Sequence, residues 1–237
     1  MSNLRLFHPN NIIENTTGLV SREHSHYIIN VMRLKKGSSI NFFNKEGEWI
    51  SEIILIERDK VEVKFLHKIK EPLKKLNIEL AICLVKKTPM EIILQKATEL
   101  GVSNIIPIIS ERTEVKDLNL ERAKKITIEA TEQSNQLNPP EISQIIKLKD
   151  FINGIPKEAK LFFADVNSKN MLRSKDLGQE KKTSILVGPE GDFSPTEREL
   201  ILSKLGTIAF SLSENILRSD TAAISAISLV NFIYNNH

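Results

Sequence analysis

Residues 183–201 decide the fold, and they read TSILVGPEGDFSPTERELI. Residues 184–187 are apolar and largely β-branched, which is typical of a strand buried on both faces of a sheet. A Gly-Pro-Glu-Gly turn follows at once, and after it Ser194, Pro195 and Glu197 form a capping box with proline at the first helical position. The stretch therefore predicts a buried strand, a turn and a helix in direct succession.

The two glycines of this turn indicate where a ligand would bind. We expect Gly188 and Gly191 to let the backbone bend sharply and to let a ligand approach without a Cβ in the way. Local chemistry alone favours an ordinary strand-turn-helix connection as much as a ligand loop. A phosphate-binding loop would end in Lys-Ser or Lys-Thr, and a dinucleotide fold needs G-x-G-x-x-G, and neither pattern occurs in the chain. Because Glu190 stands beside the amides, a neutral or cationic ligand is favoured over a polyphosphate.

A second segment, residues 210–226, repeats this design and reads FSLSENILRSDTAAISA. It begins with a short apolar strand, continues through a polar loop with Arg218 and Asp220, and ends in a helix rich in small residues. Loops that follow parallel strands meet at one edge of an open sheet, where α/β proteins bind their ligands. We therefore expect the two segments to form one ligand site.

Composition bounds the class of protein. With 237 residues, of which 41% are hydrophobic, the chain can hold one large domain or two ordinary ones. No apolar run approaches the roughly 18 residues of a membrane helix, and the N-terminus lacks the apolar core of a signal peptide, so we expect a cytoplasmic location. The single cysteine, Cys83, is expected in a core strand, and disulfides and zinc are excluded.

The net charge of +3 is unevenly distributed. Residues 1–77 carry 13 Lys and Arg against 9 Asp and Glu, whereas residues 78–237 carry 20 against 21. This distribution indicates an RNA-contacting module beside a neutral small-molecule domain. A surplus of four charges is also within the range of an ordinary solvated surface.

The N-terminal part of the chain has the pattern of a small β-rich domain. Strands are predicted at residues 4–7, 39–43, 49–56 and 60–66, with a hairpin turn at 44–47 and one helix at 23–32. Residues 68–76 are charged and are broken by Pro72, which is typical of a linker.

From residue 77 onward, strands alternate with helices. We predict strands at residues 78–85, 104–109, 142–146, 160–164, 184–187 and 207–212, and helices at 89–100, 120–134, 195–204 and 221–234. A second capping box, at residues 88–91, is expected to open the first of these helices. Alternation of this kind predicts a parallel sheet with helices on both faces.

The motifs GPEGDFS and ILRSDTA resemble the pair of cofactor-binding segments in the ribosomal RNA small subunit methyltransferase E family, the SPOUT-class uracil-N3 methyltransferases. Other matching motifs stand in the family's order at residues 5–7, 31–33, 87–91, 95–102, 107, 111–113, 129–134 and 140. The resemblance thus covers nearly the whole chain. The chain departs from the family at Ser213, Gln136, Asn215 and Asp220, where glycine, arginine, arginine and glutamate are usual. The two missing arginines bear on RNA or cofactor contacts, while Arg218 is kept.

The resemblance implies an α/β fold with a C-terminal SPOUT-type parallel sheet, helices on both faces and a trefoil knot, in residues 77–237. It implies a small N-terminal PUA-like β-barrel that binds RNA in residues 1–70, which leaves residues 71–76 as the linker. S-adenosyl-L-methionine is the implied cofactor, and no metal is expected. The implied partners are ribosomal RNA within the small subunit and a second copy of the chain in a homodimer, with no membrane.

Cofactor contacts are implied for residues at the ends of two strands and in the loops that follow. These residues are Leu186, Val187, Gly188, Pro189, Glu190, Gly191, Leu212, Ser213, Asn215, Ile216, Leu217, Thr221 and Ala222.

Catalysis is assigned to Arg218 and Glu190 on chemical grounds. Arg218 is always charged and donates a planar fork, so it could stabilise the uracil anion that forms when N3 loses its proton. Glu190 and Asp220 are possible proton acceptors, although for Asp220 we prefer the role of a helix N-cap.

RNA contacts are predicted for six polar or basic residues. They are Arg5, Arg33, Lys35, Lys36, Arg112 and Gln133. Residues 132–134, Glu-Gln-Ser, could contact RNA or the neighbouring subunit, or simply form a polar helix end. His24 and His26 have no acid or cysteine partners at ligand spacing, which favours solvated or locally bonded histidines.

Two other functions stay open at this point. One is a related methyltransferase that acts on transfer RNA or large-subunit RNA with 2′-hydroxyl or guanine chemistry. The other is a noncatalytic RNA-binding protein that retains the scaffold.

Overall fold

The computed structural model describes residues 4–72, 77–176 and 182–235. The chain divides into two compact units, of which the first comprises Met1–Lys74 and Thr131–Asn138, and the second Lys75–Ala130 and Pro139–His237. Within the described ranges, no helix is both long and apolar enough to cross a membrane. The boundaries drawn from the sequence stay predictions, and residues 73–76 of the predicted linker lie outside the described residues.

The N-terminal unit is built on a five-stranded mixed sheet. Its elements are β1 (Arg5–Phe7), β2 (Thr17–Leu19), α1 (Arg22–His26), a π-helical turn (Tyr27–Val31), β3 (Ser39–Asn44), β4 (Gly47–Glu57) and β5 (Lys60–Lys70). The strand order is β1-β3-β4-β5-β2, in which β1 pairs with β3 in parallel and the other pairs are antiparallel. The pattern of strands and one helix is confirmed. β2 was not predicted, because its three residues include a glycine and are too few to show the alternation of apolar and polar side chains that marks a strand.

The charge pattern placed the start of the linker at residue 68, before β5 ends. β5 continues through Lys70, where Lys68 and Lys70 pair with Trp49 and Glu48 of β4. The lysines at the end of this strand gave the sequence the appearance of a linker, although Lys68 and Lys70 are half-buried. The strand extends because register shifts in the β4–β5 ladder let the two long strands stay paired along their length.

The Arg5 guanidinium makes all of its described hydrogen bonds inside the N-terminal unit. Its Nε donates to both carboxylate oxygens of Glu48 at 3.1 and 3.0 Å, and its Nη1 and Nη2 donate to the backbone carbonyls of Glu132 and Gln136, each at 2.9 Å. The guanidinium also lies 4.4 Å from the centre of the Phe43 ring. Only 13% of the Arg5 side chain is exposed. The structure thus contradicts the prediction that Arg5 contacts RNA phosphate, because its charge already serves a buried network.

Glu132 takes part in the same network from the segment Thr131–Asn138. Its carboxylate accepts the backbone N–H of Phe7 at 2.9 Å and lies 3.1 Å from Nε2 of His24. The sequence favoured a solvated or locally bonded His24, whereas its partner in the structure is Glu132, which is distant in the sequence. The Glu132 side chain holds this segment on the first unit, and its carboxylate is committed to protein partners.

The second unit contains a seven-stranded parallel sheet among the described residues. Its elements are β6 (Asn77–Cys83), α2 (Lys87–Glu99), β7 (Asn104–Ile109), α3 (Leu120–Gln133), β8 (Glu141–Ile142), β9 (Ile146–Lys147), α4 (Leu148–Gly154), β10 (Leu161–Ala164), a 3₁₀ turn (Ser174–Asp176), β11 (Lys182–Val187), α5 (Pro195–Ser203), β12 (Thr207–Phe210) and α6 (Ser219–Asn235). The strand order is β12-β10-β11-β6-β7-β8, and β9 also pairs with β7. Every one of these pairs is parallel. The last residues of α3 belong to the first unit.

Both faces of this sheet are buried. On β11, Ile185 and Val187 pack into one apolar cluster with residues of α2 and α6, while Leu186 packs into a second cluster with residues of α4 and α5. The expected arrangement of helices on both faces is confirmed. Cys83 is fully buried in the second cluster, which confirms its place in the core. Burial raises the pKa of its thiol to about 12.

Three expectations about the second unit were wrong. α2 begins at Lys87 after Lys86, without a side-chain cap, so the capping box at residues 88–91 does not form. The strand predicted at residues 142–146 is two short strands, β8 and β9, because each pairs with a different part of β7. The short helix α4 was missed.

Strand order does not describe the threading of loops, so the trefoil knot stays a prediction.

We expect Arg5→Ala to lower the free energy of unfolding by about 3 kcal/mol, because the substitution leaves the Glu48 carboxylate buried without its cation. The matched control is Arg22→Ala, whose side chain is 91% exposed and lies 3.8 Å from Asp59, and it should cost less than about 1 kcal/mol. Urea unfolding followed by fluorescence of Trp49 measures both. Equal losses in the two variants would contradict the role of the buried network.

Candidate functional site

The carboxyl ends of the parallel strands carry the loops that form the candidate site. Residues 110–118 follow β7, residues 188–194 follow β11, and residues 211–218 follow β12. In a parallel sheet these ends lie at one edge, where ligand sites of α/β proteins are found. We call residues 188–191 the glycine turn and residues 211–218 the second loop.

The glycine turn exposes its tip and buries its base. The side chains of Leu186 and Val187 belong to the core, so only their backbone can face a ligand. Pro189 is buried as well, whereas Glu190 and Gly191 are exposed. Among the described residues, Glu190 makes no hydrogen bond through its carboxylate, which leaves this predicted proton acceptor open to a ligand.

The two glycines serve different purposes from those expected. Neither has a positive φ; the left-handed residue of this turn is Asp192, with φ 57°. A Cβ on Gly188 would lie 3.0 Å from the Phe193 ring, whereas a Cβ on Gly191 would meet Arg112 at 3.6 Å, an ordinary contact. A side chain at Gly188 would therefore crowd the Phe193 ring, which would have to shift by a few tenths of an ångström. Gly191 is exposed and its backbone is not strained, and the approach of a ligand at this position stays a prediction.

The capping box at the start of α5 is confirmed. Ser194 Oγ accepts the N–H of Glu197 at 3.2 Å, and Oε2 of Glu197 accepts the N–H of Ser194 at 3.1 Å. Oε1 of Glu197 accepts a further N–H, that of Glu111 at 2.8 Å. The sequence did not indicate this second bond, which joins α5 to the loop after β7.

Donors from two other loops hold the carbonyls of the glycine turn. Nη1 of Arg112 donates to the carbonyl of Gly191 at 3.0 Å, and Oγ of Ser219, at the start of α6, donates to the carbonyl of Gly188 at 3.2 Å. The loops that follow β7, β11 and β12 are thus brought together. This convergence was the central expectation from the sequence for the two ligand segments.

The second loop is the most exposed part of the site. Ser213, Asn215 and Ile216 are exposed, and Ile216 reaches 90%. Ser213 Oγ accepts the N–H of Asn215 at 3.0 Å, so two residues that depart from the family pattern form a local turn together. Leu212 and Leu217 are half-buried. In the part of the chain that the structure describes, the N–H groups of Ile216 and Leu217 have no acceptor.

Arg218 ends the second loop with an exposed side chain. Its side chain is 74% exposed, and its Nε lies 3.8 Å from Oδ1 of Asp220. The preferred role of Asp220 as an N-cap was wrong, because α6 begins one residue earlier, at Ser219, and Asp220 accepts the N–H of Thr221 within the first turn. Thr221 is exposed and Ala222 is half-buried in the same turn.

Sequence analysis missed an ion pair between a half-buried Arg198 and the buried carboxylate of Asp165, beside the glycine turn. Asp165 follows β10 with a fully buried carboxylate, which accepts from Nη2 of Arg198 at 2.8 Å and from its Nε at 3.2 Å. Asn167 Nδ2 donates to Asp192 at 3.3 Å. An aspartate directly after an apolar strand was the available signal. An open cleft of about 720 Å³ lies here, with Arg112 among its lining residues.

The predicted RNA contacts in the N-terminal unit, apart from Arg5, are exposed. Arg33, Lys35 and Lys36 lie in the loop after the π-helical turn, and Arg33 has a φ of 52°. The N–H of Lys35 donates to Ser38 Oγ at 3.0 Å, and other backbone bonds fix the loop, so its basic side chains project from a defined backbone. Gln133 is exposed at the end of α3.

Comparison with known proteins identifies the class. The family model described as an RNA methyltransferase domain matches residues 71–231, and the model of an RNA methyltransferase PUA domain matches residues 20–66. The fold and site are thus those of an RNA methyltransferase with a PUA domain.

Individual relatives identify the family. Ribosomal RNA small subunit methyltransferase E of Rickettsia conorii is 35% identical to this chain over 91% of it and 89% of the relative. The Aquifex aeolicus protein of that name is 31% identical over 90% and 94%. A crystal structure from Neisseria gonorrhoeae, bound to S-adenosyl methionine, has a TM-score of 0.89 at 28% identity and covers 98% of both chains. This chain belongs to the ribosomal RNA small subunit methyltransferase E family.

The residues present fit S-adenosylmethionine. The glycine turn and second loop expose backbone N–H groups that suit acceptor atoms of an adenine ring. Ile216 supplies an exposed apolar side chain that a ligand could cover. Glu190 places a carboxylate where a cationic sulfonium would be favoured.

We expect Gly191→Val to stay folded and to bind S-adenosylmethionine at least about tenfold more weakly, because the new side chain projects from the exposed turn without a clash. Gly188→Val should instead lose about 1 to 3 kcal/mol of stability against the Phe193 ring. Thermal unfolding and titration calorimetry separate the two effects. Gly154→Val, at an open position, is the control that should leave cofactor affinity unchanged. Unaltered affinity in Gly191→Val would remove the glycine turn from the cofactor site.

Proposed function

We propose that this protein transfers the methyl group of S-adenosylmethionine to N3 of a specific uridine in 16S ribosomal RNA, during assembly of the small subunit in the cytoplasm. The observation that carries the proposal is the convergence of the glycine turn and the second loop, joined by the bond from Ser219 to Gly188, in a member of this family. Each loop carries an exposed charged side chain that the reaction could use. Glu190 on the glycine turn is a proton acceptor, and Arg218 on the second loop is a cationic donor.

Alignment is the main task of such a site. The cofactor, when bound, supplies an electrophilic methyl group on a sulfonium centre, so neither a metal nor a covalent nucleophile is required. The chain contributes backbone groups of Val187, Gly188 and Gly191 and of the second loop, which hold the cofactor in one orientation. Correct orientation of two reactants accounts for a large share of rate enhancement in displacement reactions.

Arg218 is the residue that stabilises the reacting base. Loss of the N3 proton spreads negative charge onto the flanking carbonyl oxygens of uracil, and a guanidinium can donate to such oxygens through a planar fork. The Arg218 side chain is 74% exposed and its contact with Asp220 is long, at 3.8 Å, so little has to be broken before it binds the base. Glu190, exposed on the glycine turn, is the proposed acceptor of the proton.

RNA recognition uses the exposed basic loop of the N-terminal unit. We assign phosphate contacts to Arg33, Lys35 and Lys36, with Arg112 and Gln133 as further contacts. Arg5 is not among them, because its guanidinium is paired with Glu48. Basic side chains supply most nonspecific affinity for nucleic acid through release of counterions.

A homodimer is part of the proposal. Its support is the family membership and the presence of exposed apolar side chains on the mutually packed helices α2 and α6, where Ile92 is 37% exposed and Phe232 is 67% exposed. A second copy of the chain would cover such residues. Light scattering at micromolar concentration that shows a species of 26.9 kDa alone would contradict it.

The proposed reaction is tested with small subunits from a bacterial strain that lacks its own enzyme. The protein and S-adenosylmethionine should produce 3-methyluridine at one position of 16S RNA, found by digestion and mass spectrometry of nucleosides. Methylation of a ribose hydroxyl or a guanine, or modification of transfer RNA in its place, would overturn the proposal.

We expect Arg218→Ala to lower single-turnover methylation about a hundredfold to a thousandfold and to change S-adenosylmethionine affinity only a few-fold, because the lost interaction is made in the transition state. Arg218→Lys should rescue poorly, since an ammonium lacks the planar fork. The control is Arg173→Ala, which removes an exposed arginine elsewhere in the second unit. If Arg218→Ala turned over at a near-normal rate, Arg218 would lose its catalytic assignment and Glu190 would be the candidate that remains.

We expect the triple substitution of Arg33, Lys35 and Lys36 by alanine to weaken RNA binding and to reduce the slope of log affinity against log salt by about 2. These charge changes are preferable to deletion of residues 1–70, which would also remove Arg5 and His24 from the segment Thr131–Asn138.

Substituting three other exposed basic residues of the same unit gives a matched control with the same loss of charge. These are Lys45, Arg58 and Lys60. Nitrocellulose filter binding across a salt series measures both sets. Identical salt slopes for the two triple variants would refute the assignment of the loop.

A further inference from the structure

Glu197 makes more contacts than a helix cap needs. A capping box requires one carboxylate oxygen to accept the N–H of the cap residue, here Ser194. The other oxygen accepts the N–H of Glu111, which is 86 residues away in the chain. The Glu197 residue is 8% exposed, so both oxygens are committed within the protein.

The bond to Glu111 fixes the turn that carries Arg112. In this turn the N–H of Ser110 donates to Thr113 Oγ1 at 2.9 Å, and the N–H of Thr113 donates to the carbonyl of Ser110 at 3.2 Å. Arg112 is exposed at the tip, and its Nη1 donates to the carbonyl of Gly191. Two hydrogen bonds thus join the turn after β7 to the segment from the glycine turn to α5. Glu197 accepts from Glu111, and Arg112 donates to Gly191.

We propose that Glu197 is a positioning residue that couples the cofactor side of the site to its RNA side by holding Arg112 in place. The inference rests on the proposed function, because it takes Arg112 as an RNA contact. A guanidinium has five N–H donors, and the Arg112 guanidinium donates one of them to Gly191. Its other N–H groups can donate to a phosphate oxygen of the substrate. Its direction depends on the backbone of the preceding residue, which the Glu197 carboxylate holds.

Glu197→Gln is a sharp probe of this role. A carboxylate accepts two N–H groups with its two oxygens, whereas an amide of the same shape offers one acceptor and one NH₂ donor. We expect the amide oxygen to keep the N–H of Ser194, which belongs to the local capping box, so that the N–H of Glu111 faces the NH₂ donor. The size of the side chain is unchanged, so packing against its neighbours is retained.

The first measurement is hydrogen exchange and needs no activity. In Glu197→Gln, the peptide that contains residues 110–113 should exchange at least about tenfold faster, because a hydrogen bond to a charged group is lost. Glu199→Gln, on the exposed side of the same helix, should leave that peptide unchanged. Faster exchange spread evenly over the whole second unit, or unchanged exchange at residues 110–113, would overturn the inference.

The second measurement is a double-mutant cycle on methylation of small subunits. Glu197→Gln should raise KM for the subunit about tenfold with S-adenosylmethionine affinity within a few-fold, and it should add nothing further in an Arg112→Ala background. Additive effects in the double variant would mean that Glu197 does not act through Arg112. If the wild-type protein does not methylate small subunits, the proposed function fails, whereas the exchange result still decides the coupling.

Discussion

The parallel pairing of β11 with β6 and β10 is the constraint on which the rest of the structure depends. A strand that is paired on both edges cannot shift its register without breaking its hydrogen bonds to both neighbours and moving Ile185 and Leu186 out of the clusters they fill on opposite faces. Its carboxyl end is consequently a defined point in space, and the glycine turn begins there. The loops after β7 and β12 reach the same point because their strands run in the same direction.

Much of this architecture could be predicted because it depends on patterns among residues that are close in the sequence. The run at residues 184–187, the capping box at Ser194 and the alternation of strands and helices each involve neighbours in the sequence. The false capping box at residues 88–91 shows the limit of such patterns, since the right residue types were present and α2 started at Lys87 all the same. There the N–H of Met90 donates to the carbonyl of Lys86 at 3.0 Å, which starts the helix before the expected residue 89.

The contacts that hold the site together could not be predicted in the same way. Glu111 and Glu197 are separated by 86 residues, Arg112 and Gly191 by 79, and Asp165 and Arg198 by 33. No local pattern marks which carboxylate will meet which N–H once the sheet has formed. The missed membership of Thr131–Asn138 in the first unit has the same origin, because its ties to Arg5 and Phe7 span more than 120 residues.

Charge counts from the sequence predict a class of partner but not the residues that bind it. Arg5 and Arg33 look alike in the sequence, yet Arg5 neutralises a buried carboxylate and Arg33 lies exposed in a basic loop. A charge that is enclosed and paired contributes nothing to the field that attracts a polyanion. The Arg5–Glu48 pair removes one cation and one anion from the field around the N-terminal unit, so its net basic excess is unchanged, but Arg5 is not one of the cations that can contact RNA.

The polar groups of the glycine turn are divided in a way that explains its ligand preference. Donors from Ser219 and Arg112 satisfy the carbonyls of Gly188 and Gly191, so these acceptors are removed from competition. In the described part of the chain the N–H groups of Glu190 and Gly191 have no such partner, and the Glu190 carboxylate stands beside them. Free donors next to a negative charge suit a ligand that carries acceptor atoms and a cation together. S-adenosylmethionine has both, in its adenine ring and its sulfonium, whereas a polyphosphate would be repelled by Glu190.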